Sequence, residues 1–200
     1  PELPVWQVIT ESSNLGTARI AKMIGPEKQR EFLSSLGFTK PTSIEMIEAS
    51  GGKPLLPRRW NELETMTISY GHGLSATPLH LATGYATLAN GGRLVKPTLL
   101  EEEKLGLGQQ IVSKEVAKNS LAMLRGVVTE GTASLADVNG YFVAGKTGTA
   151  DKPSAQGGYD KEKNITSFAS IFPIHEPKYV LVVTLDEAQD TSGPEPKRTA

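Results

Sequence analysis

Two short stretches of this 200-residue chain carry residue types that suit the binding of an anionic ligand. The first is Lys146-Thr147-Gly148-Thr149, in which an ammonium group stands beside two hydroxyls. Thr147 and Thr149 alternate with Gly148, so in an extended strand their hydroxyls lie on one side. Together with the lysine they make a suitable carboxylate site. Gly148 lets a ligand approach the backbone closely, because it has no side chain.

The second stretch is Ser12-Ser13-Asn14, which precedes a helical pattern. Serine and asparagine in such a position usually cap the helix, because their side chains accept hydrogen bonds from free N–H groups of the first turn. Each stretch alone is a weak signal. The two together, in this order and separated by most of the chain, are a far more specific signal than either stretch alone.

Hydrophobic periodicity predicts several helices ahead of the strand that carries Lys146. The third of them has Thr77 as its N-cap and Pro78 in its first turn, as helix starts commonly do. The last is capped by Ser113 and is expected to turn Val116, Leu121 and Leu124 inward. The predicted helices cover residues 15–24, 26–36, 78–89 and 114–127.

Strands are predicted near the end of the chain, at 142–146, 167–172 and 179–185. Helices followed by strands do not fit the alternating order of a parallel sheet, so we expect antiparallel strands with helices packed against them. Residues 41–57, with three prolines and two adjacent glycines, predict a surface loop. The tail at 190–200 is rich in proline, glycine and charge, and is expected to be disordered.

Composition excludes several classes of function. The net charge is −1 with both signs scattered, which argues against nucleic acid as a partner. There is no cysteine, and the three histidines have no ligand-like spacing, so no metal site is expected and each histidine should be structural or exposed. The most apolar run, 179–185, is too short to cross a bilayer.

Two further sequence motifs are interpreted as chance matches. Gly71-His72-Gly73 fits a dinucleotide-binding pattern after a strand-like run, but no β-α-β unit and no acidic residue about twenty positions later accompany it. Ser50-Gly51-Gly52-Lys53 fits S-x-x-K, a motif in which the serine is a nucleophile. A glycine-rich loop followed by Pro54 would not hold that serine and lysine together on a helix.

The chain resembles, over nearly its whole length, the transpeptidase domain of class B penicillin-binding proteins. Ser12-Ser13-Asn14 is similar to the S-x-N motif of that family, and Lys146-Thr147-Gly148 to its K-T-G motif. Residues 60–90, with the G-x-G element at 71–73, and the stretch Glu130-Gly131-Thr132-Ala133 resemble further family segments. Residues 69–73 and 185–187 are more similar to the septal, cell-division branch than to the elongation branch.

The resemblance implies a serine D,D-transpeptidase that cross-links peptidoglycan stem peptides ending in D-Ala-D-Ala and that β-lactams inhibit. A serine attacks the D-Ala-D-Ala carbonyl, forms an acyl-enzyme and passes the acyl group to an amine of a neighbouring peptide. The implied fold is an α/β sandwich with a mostly antiparallel sheet and helices on both faces, without cofactor or metal. The implied location is periplasmic or extracytoplasmic, in a protein anchored in the cytoplasmic membrane.

The family motifs also imply roles for individual residues. Lys146 would supply positive charge and move protons through the hydroxyl of Ser12. Asn14 would hydrogen-bond the amide of the substrate, and Thr147 and Thr149 would hold its terminal carboxylate. The backbone N–H of Thr149 would be one donor to the oxyanion, and loss of one such donor typically lowers the rate about a hundred- to a thousandfold.

The chain departs from the family pattern in one respect, because S-x-x-K should precede S-x-N by several tens of residues and is not found there. We therefore expect residues 1–200 to be a partial domain, missing parts at both ends and inactive alone. The missing N-terminal part and division proteins are expected partners. The alternatives are a β-lactamase or D,D-carboxypeptidase of the same superfamily, and a non-catalytic relative that serves as a scaffold or binding module.

Overall fold

The computed structural model describes residues 2–101, 108–154, 157–190 and 197–198. Within them, helices fill the first two thirds of the chain and strands the last third. The helices are α1 (Val5–Thr10), α2 (Asn14–Ile24), α3 (Pro26–Ser35), a 3-10 turn (Ile47–Gly51), α4 (Glu62–Ser69), α5 (Pro78–Ala89), α6 (Lys114–Thr129) and a second 3-10 turn (Ser134–Ala136). The strands are β1 (Ala144–Pro153), β2 (Tyr159–Phe172), β3 (Tyr179–Asp186), β4 (Gln189–Asp190) and β5 (Lys197–Arg198).

The main sheet of the described residues has the order β1-β2-β3, and both neighbouring pairs are antiparallel. Its register pairs Ala144 with Ile171, and Ile171 with Val180, so these three side chains share one face. A β-bulge interrupts the pairing of β1 between Asp151 and Lys152. The short strands β4 and β5 pair separately. The expected antiparallel sheet with packed helices is confirmed.

The core lies between this sheet and the helices α5 and α6. Ala144 and Ile171 are fully buried and pack with Leu124 of α6, and Tyr85 and Leu88 of α5 lie against them. A second cluster, Val127, Val128 and Ala133, packs with Ile9 of α1 and Phe168 of β2. Helix α6 therefore contacts both α1 and β1, the two elements that border the candidate site.

Helix α5 begins with the cap that the sequence predicts. The Thr77 hydroxyl accepts a hydrogen bond from the His80 backbone N–H, and His80 Nδ1 accepts one from the Thr77 N–H. The other ring nitrogen of His80, Nε2, lies 2.7 Å from the Lys40 carbonyl oxygen, to which it donates. His80 is buried, and its ring thereby ties the start of α5 to the chain that follows α3.

The opposite face of β3 is open in the described residues. Tyr179, Leu181, Val183 and Leu185 alternate along the strand and are 45 to 62% exposed. These four large apolar side chains form a contiguous strip, and a contiguous exposed apolar surface often marks a contact site. None of the helices in the described residues is both long and apolar enough to cross a membrane.

Some sequence expectations need correction. Val116 is 49% exposed and not turned inward, because α6 buries Ala117, Leu124, Val127 and Val128 instead. The run before Gly71 is helix α4 and not strand-like, which removes the strand that a dinucleotide site would require. Helices α1 and α4 were not expected. Of the predicted disordered tail, residues 190 and 197–198 lie instead in the paired strands β4 and β5, and the rest of it lies outside the described residues.

We predict that the two faces of the sheet respond differently to truncation. Ile171→Ala should lower the free energy of unfolding by about 2 to 5 kcal/mol, because Ile171 is fully buried. Leu181→Ala removes a side chain of the same size that is 48% exposed, and should cost under about 1 kcal/mol. Urea unfolding of both variants measures the difference. Equal losses would mean that the open face of β3 is covered in solution.

Candidate active site

Ser12 lies in a tight connection between α1 and α2. Its backbone is in the left-handed region at φ 55°, a conformation that costs a non-glycine residue about 1 to 3 kcal/mol and recurs at functional sites. Two hydrogen bonds hold it there, from Ser12 N–H to the Ile9 carbonyl and from Ser13 N–H to the Val8 carbonyl. Gly16 lets the two helices approach, since a Cβ there would lie 2.8 Å from the Val8 side chain.

Capping of α2 is carried out by Ser13 and not by its neighbours. The Ser13 hydroxyl accepts a hydrogen bond from the Gly16 N–H at 3.2 Å. Asn14 is the first residue of the helix and is exposed. Within the S-x-N pattern, the middle residue caps the helix. The Ser12 hydroxyl and the Asn14 amide are therefore available for other contacts.

Lys146 is positioned by the buried start of β1. Ala144 and Gly145 precede it and are buried, and the register places Lys146 opposite Ala169 of β2. Its Nζ donates a hydrogen bond to Ser12 Oγ at 2.7 Å and another to the Thr147 carbonyl oxygen at 2.8 Å. The structure therefore brings together Ser12 and Lys146, two residues 134 positions apart, as the family resemblance implies.

The ammonium group of Lys146 is in an unusual electrostatic position. Among the described residues its two hydrogen-bond partners are neutral oxygens, so no carboxylate compensates for its loss of water. Burial accordingly lowers the pKa of Lys146 from its ordinary value of 10.5. A lysine with a lowered pKa gives up a proton more readily, as proton transfer at neutral pH requires.

The turn between α6 and β1 also contributes a contact to the candidate site. Thr132 Oγ1 lies 3.0 Å from Thr147 Oγ1, so one of these hydroxyls donates to the other. Sequence reasoning did not assign a role to Thr132, although the stretch that contains it was noted for its resemblance. Gly148 and Thr149 follow on β1 and are exposed. The roles expected of Asn14, Gly148 and Thr149 remain predictions.

The other sequence candidates lie apart from these contacts. Ser50 is in a 3-10 turn that ends at Gly51, and its hydroxyl donates to the Ile47 carbonyl. His72 packs edge-on against Tyr159, with ring centres 5.0 Å apart, and also lies near Tyr70. In the part of the chain that the structure describes, no group of three histidine or acidic side chains is arranged to hold a metal ion.

Comparison with known proteins gives the same family from sequence. Residues 2–200 match the family described as the penicillin binding protein transpeptidase domain. The chain is 33% identical to a probable peptidoglycan D,D-transpeptidase FtsI of Caulobacter vibrioides, over 96% of this chain and 34% of that protein. It is 35% identical to penicillin-binding protein PbpB of Mycolicibacterium smegmatis, over 96% and 33% of the two chains.

Solved structures agree with the sequence comparison. The transpeptidase domain of penicillin-binding protein 3 from Burkholderia pseudomallei superposes with a TM-score of 0.84 at 34% identity, over 92% of this chain and 56% of that one. Penicillin binding protein 3 of Mycobacterium tuberculosis, in complex with aztreonam, gives a TM-score of 0.82 at 29% identity, over 91% and 45%. The expected α/β fold of the penicillin-binding proteins is confirmed.

We predict a pH dependence of stability that depends on Lys146. Because its pKa is lowered on folding, in the window just below pH 10.5 the unfolded chain holds a proton that the folded chain has lost. Stability therefore rises with pH in this window and levels off above it. The free energy of unfolding of the wild type, relative to Lys146→Met, should rise as the pH approaches 10.5. Urea unfolding at stepped pH measures it.

Lys152 provides a control of opposite sign. Hydrogen bonds to Asp186 and Glu187 raise its pKa above 10.5, so its contribution is present at lower pH and is lost as the pH rises beyond that value. Relative to Lys152→Met, the wild type should lose stability above pH 10.5. Parallel pH dependences for the two variants would contradict the assignment of Lys146 as a desolvated ammonium.

Proposed function

Because this chain belongs to the penicillin binding protein transpeptidase domain family, we propose that it forms part of the active site of a serine peptidoglycan D,D-transpeptidase. The observation that carries the proposal is the 2.7 Å hydrogen bond from Lys146 Nζ to Ser12 Oγ, which unites the S-x-N and K-T-G motifs. The chain spans about a third of the length of the curated relatives it matches.

In the proposed first step, a serine outside these 200 residues attacks the carbonyl carbon of the D-Ala-D-Ala bond. An ester forms as the serine hydroxyl loses its proton, the bond to the nitrogen of the terminal D-Ala breaks, and the leaving nitrogen takes up that proton. Ser12 and Lys146 form the relay for that proton, since Ser12 Oγ both donates and accepts while Lys146 Nζ supplies the next donor. The lowered pKa of Lys146 favours this task.

In the second step, an amine of a neighbouring stem peptide attacks the ester carbonyl. The new amide bond forms, the ester bond breaks, and a proton lost by the amine returns to the serine oxygen. Ser12 and Lys146 carry this proton in the reverse direction. Splitting the transfer into two acyl steps is what nucleophilic catalysis contributes.

Substrate binding is assigned to β1 and to the start of α2. Thr147 and Thr149 hold the terminal carboxylate, and Asn14 hydrogen-bonds an amide of the peptide. The Thr149 N–H is one oxyanion donor, and Gly148 leaves room for the bound chain. β1 is an edge strand of the described sheet, which supports addition of an extended peptide along it.

The cellular role that we propose is cross-linking during cell division. The relatives named FtsI in Caulobacter vibrioides and Escherichia coli support this assignment. Binding of β-lactams is supported by the structure of the Mycobacterium tuberculosis protein with aztreonam. The proposed location is the periplasmic or extracytoplasmic side of the cytoplasmic membrane, with division proteins as further partners. The open apolar face of β3 is where we expect other parts of the same protein to pack.

The test is intact-mass spectrometry before and after incubation with benzylpenicillin. The 200-residue chain alone should gain no penicilloyl group. The full-length product of the gene that encodes it should gain one, on a serine outside residues 1–200. In that product, Ser12→Ala and Lys146→Ala should each lower the acylation rate about a hundred- to ten-thousandfold, because each removes a proton carrier.

The control variants are Ser50→Ala and Lys53→Met. They change the two residues of the chance match to S-x-x-K and should leave acylation unchanged. A full-length product without any adduct would favour the non-catalytic relative and overturn the proposal. An adduct on Ser12 or Ser50 of the chain alone would place the nucleophile inside these residues. Slow acylation followed by rapid hydrolysis of penicillin would favour a β-lactamase instead.

A further inference from the structure

The turn that contains Thr132 is fixed between the two halves of the site. It follows α6, which ends at Thr129, and contacts the end of α1. The Thr132 N–H donates to the Thr10 carbonyl at 3.4 Å, and Thr10 is buried two residues before Ser12. On its other side, Thr132 Oγ1 meets Thr147 Oγ1 of β1 at 3.0 Å. The turn therefore bridges the S-x-N and K-T-G segments.

The position of this turn is set by packing. A Cβ at Gly131 would lie 2.3 Å from the Thr10 carbonyl oxygen and 2.9 Å from the Val127 carbonyl oxygen, so only glycine allows this approach. Ala133 is buried with Val127 and Val128, and its N–H donates to the Val127 carbonyl. Thr132 stands between these two anchors, and its side chain is exposed toward β1. The packing of Gly131 and Ala133 therefore fixes the position of the Thr132 hydroxyl beside Thr147.

Which of the two hydroxyls donates in this hydrogen bond depends on what else Thr147 binds. Each hydroxyl has one hydrogen to donate and lone pairs to accept with, and either member of the pair is able to donate in the free protein. If Thr147 holds an anionic carboxylate, its hydrogen must point at that anion. The Thr147 oxygen is then left as an acceptor, and Thr132 must be the donor. The hydrogen bonds then run in one direction, from Thr132 through Thr147 to the carboxylate.

We infer that Thr132 is a positioning residue for carboxylate recognition: by donating to Thr147 Oγ1, it aims the Thr147 hydroxyl at the terminal carboxylate of the peptide or β-lactam. This inference rests on the proposed function. It adds a third hydroxyl to the site, from a segment that belongs to neither motif. Thr132 acts through Thr147 and does not itself contact the ligand.

The experiment uses the full-length product of the gene that encodes this chain. Thr132→Val keeps the shape of the side chain and removes the donor, whereas Thr132→Ser keeps the donor. The second-order rate constant of acylation is measured with benzylpenicillin and with its methyl ester, which has no anionic carboxylate. Thr129→Val is the matched control, because Thr129 is exposed and its hydroxyl bonds to the Arg125 carbonyl of its own helix.

With benzylpenicillin, T132V should be acylated about three- to tenfold more slowly, as expected for loss of one hydrogen bond. With the methyl ester, T132V and the wild type should be acylated at the same rate. T132S and T129V should match the wild type with both compounds. This pattern separates carboxylate recognition from general damage to the fold, which would slow acylation by both compounds alike.

Four results would overturn the inference. An equal rate for T132V and the wild type with benzylpenicillin would do so while the proposed function stands. An equal loss with both compounds, or a T132S variant as slow as T132V, would assign Thr132 a purely structural role. A wild-type product that gains no penicilloyl group would overturn the proposed function, and this inference with it.

Discussion

The hydrogen bond between Lys146 Nζ and Ser12 Oγ is the contact on which the candidate site depends. An ammonium group removed from water loses several kcal/mol of solvation unless fixed acceptors replace the water. In the described residues those acceptors are a hydroxyl and a carbonyl oxygen, not a carboxylate. The charge of Lys146 is therefore left uncompensated and available to an anionic ligand. A carboxylate partner would have neutralised it and raised the pKa instead of lowering it.

Helix α6 is the element that makes this contact possible. It packs against α1 through Val127 and Val128, and against β1 through Leu124. Arg125 on the same helix donates from Nη1 to the Asp137 carboxylate at 2.9 Å and to the Val143 carbonyl at 2.7 Å. The second of these bonds fixes the backbone just before β1 begins. One helix thus sets the distance between the Ser12 connection and the strand of Lys146, and the turn after it adds Thr132.

Helices and strands with a local sequence signal, such as a cap, were predicted correctly, and those without one were missed or predicted too short. Thr77 and Ser113 are local caps, and the helices that they begin were predicted at the right place. Helix α4 was missed because Thr65, Thr67 and Ile68 are β-branched and its apolar residues show little periodicity, so its Asn61 cap was the main signal. Strand β2 was predicted too short, since its first half, from Tyr159, is polar and is held by pairing with β1.

The candidate site also contains some features that the sequence predicted and others that it did not. Ser12 and Lys146 were recognised from the motifs of the family that the chain resembles, and the structure brings their side chains into contact. The contact of Thr132 with Thr147 arises from tertiary packing of α6 and β1, which has no local pattern in the sequence, and the left-handed conformation of Ser12 is held by local hydrogen bonds that the sequence pattern did not reveal. Val116 was placed inward because its spacing fits the helix face, but α6 turns a neighbouring face to the core.

An edge strand that binds a peptide must remain open to its ligand and closed to other strands. Edge strands generally achieve this with charges, bulges and prolines that end the pairing. β1 has all three: Lys146 near its start, a bulge after Asp151, and Pro153 at its end. The turn with Thr132 also lies against β1 at Thr147. These features confine the regular, open part of the strand to the few residues after Thr147, where small side chains leave the edge accessible but offer little length for pairing with another strand.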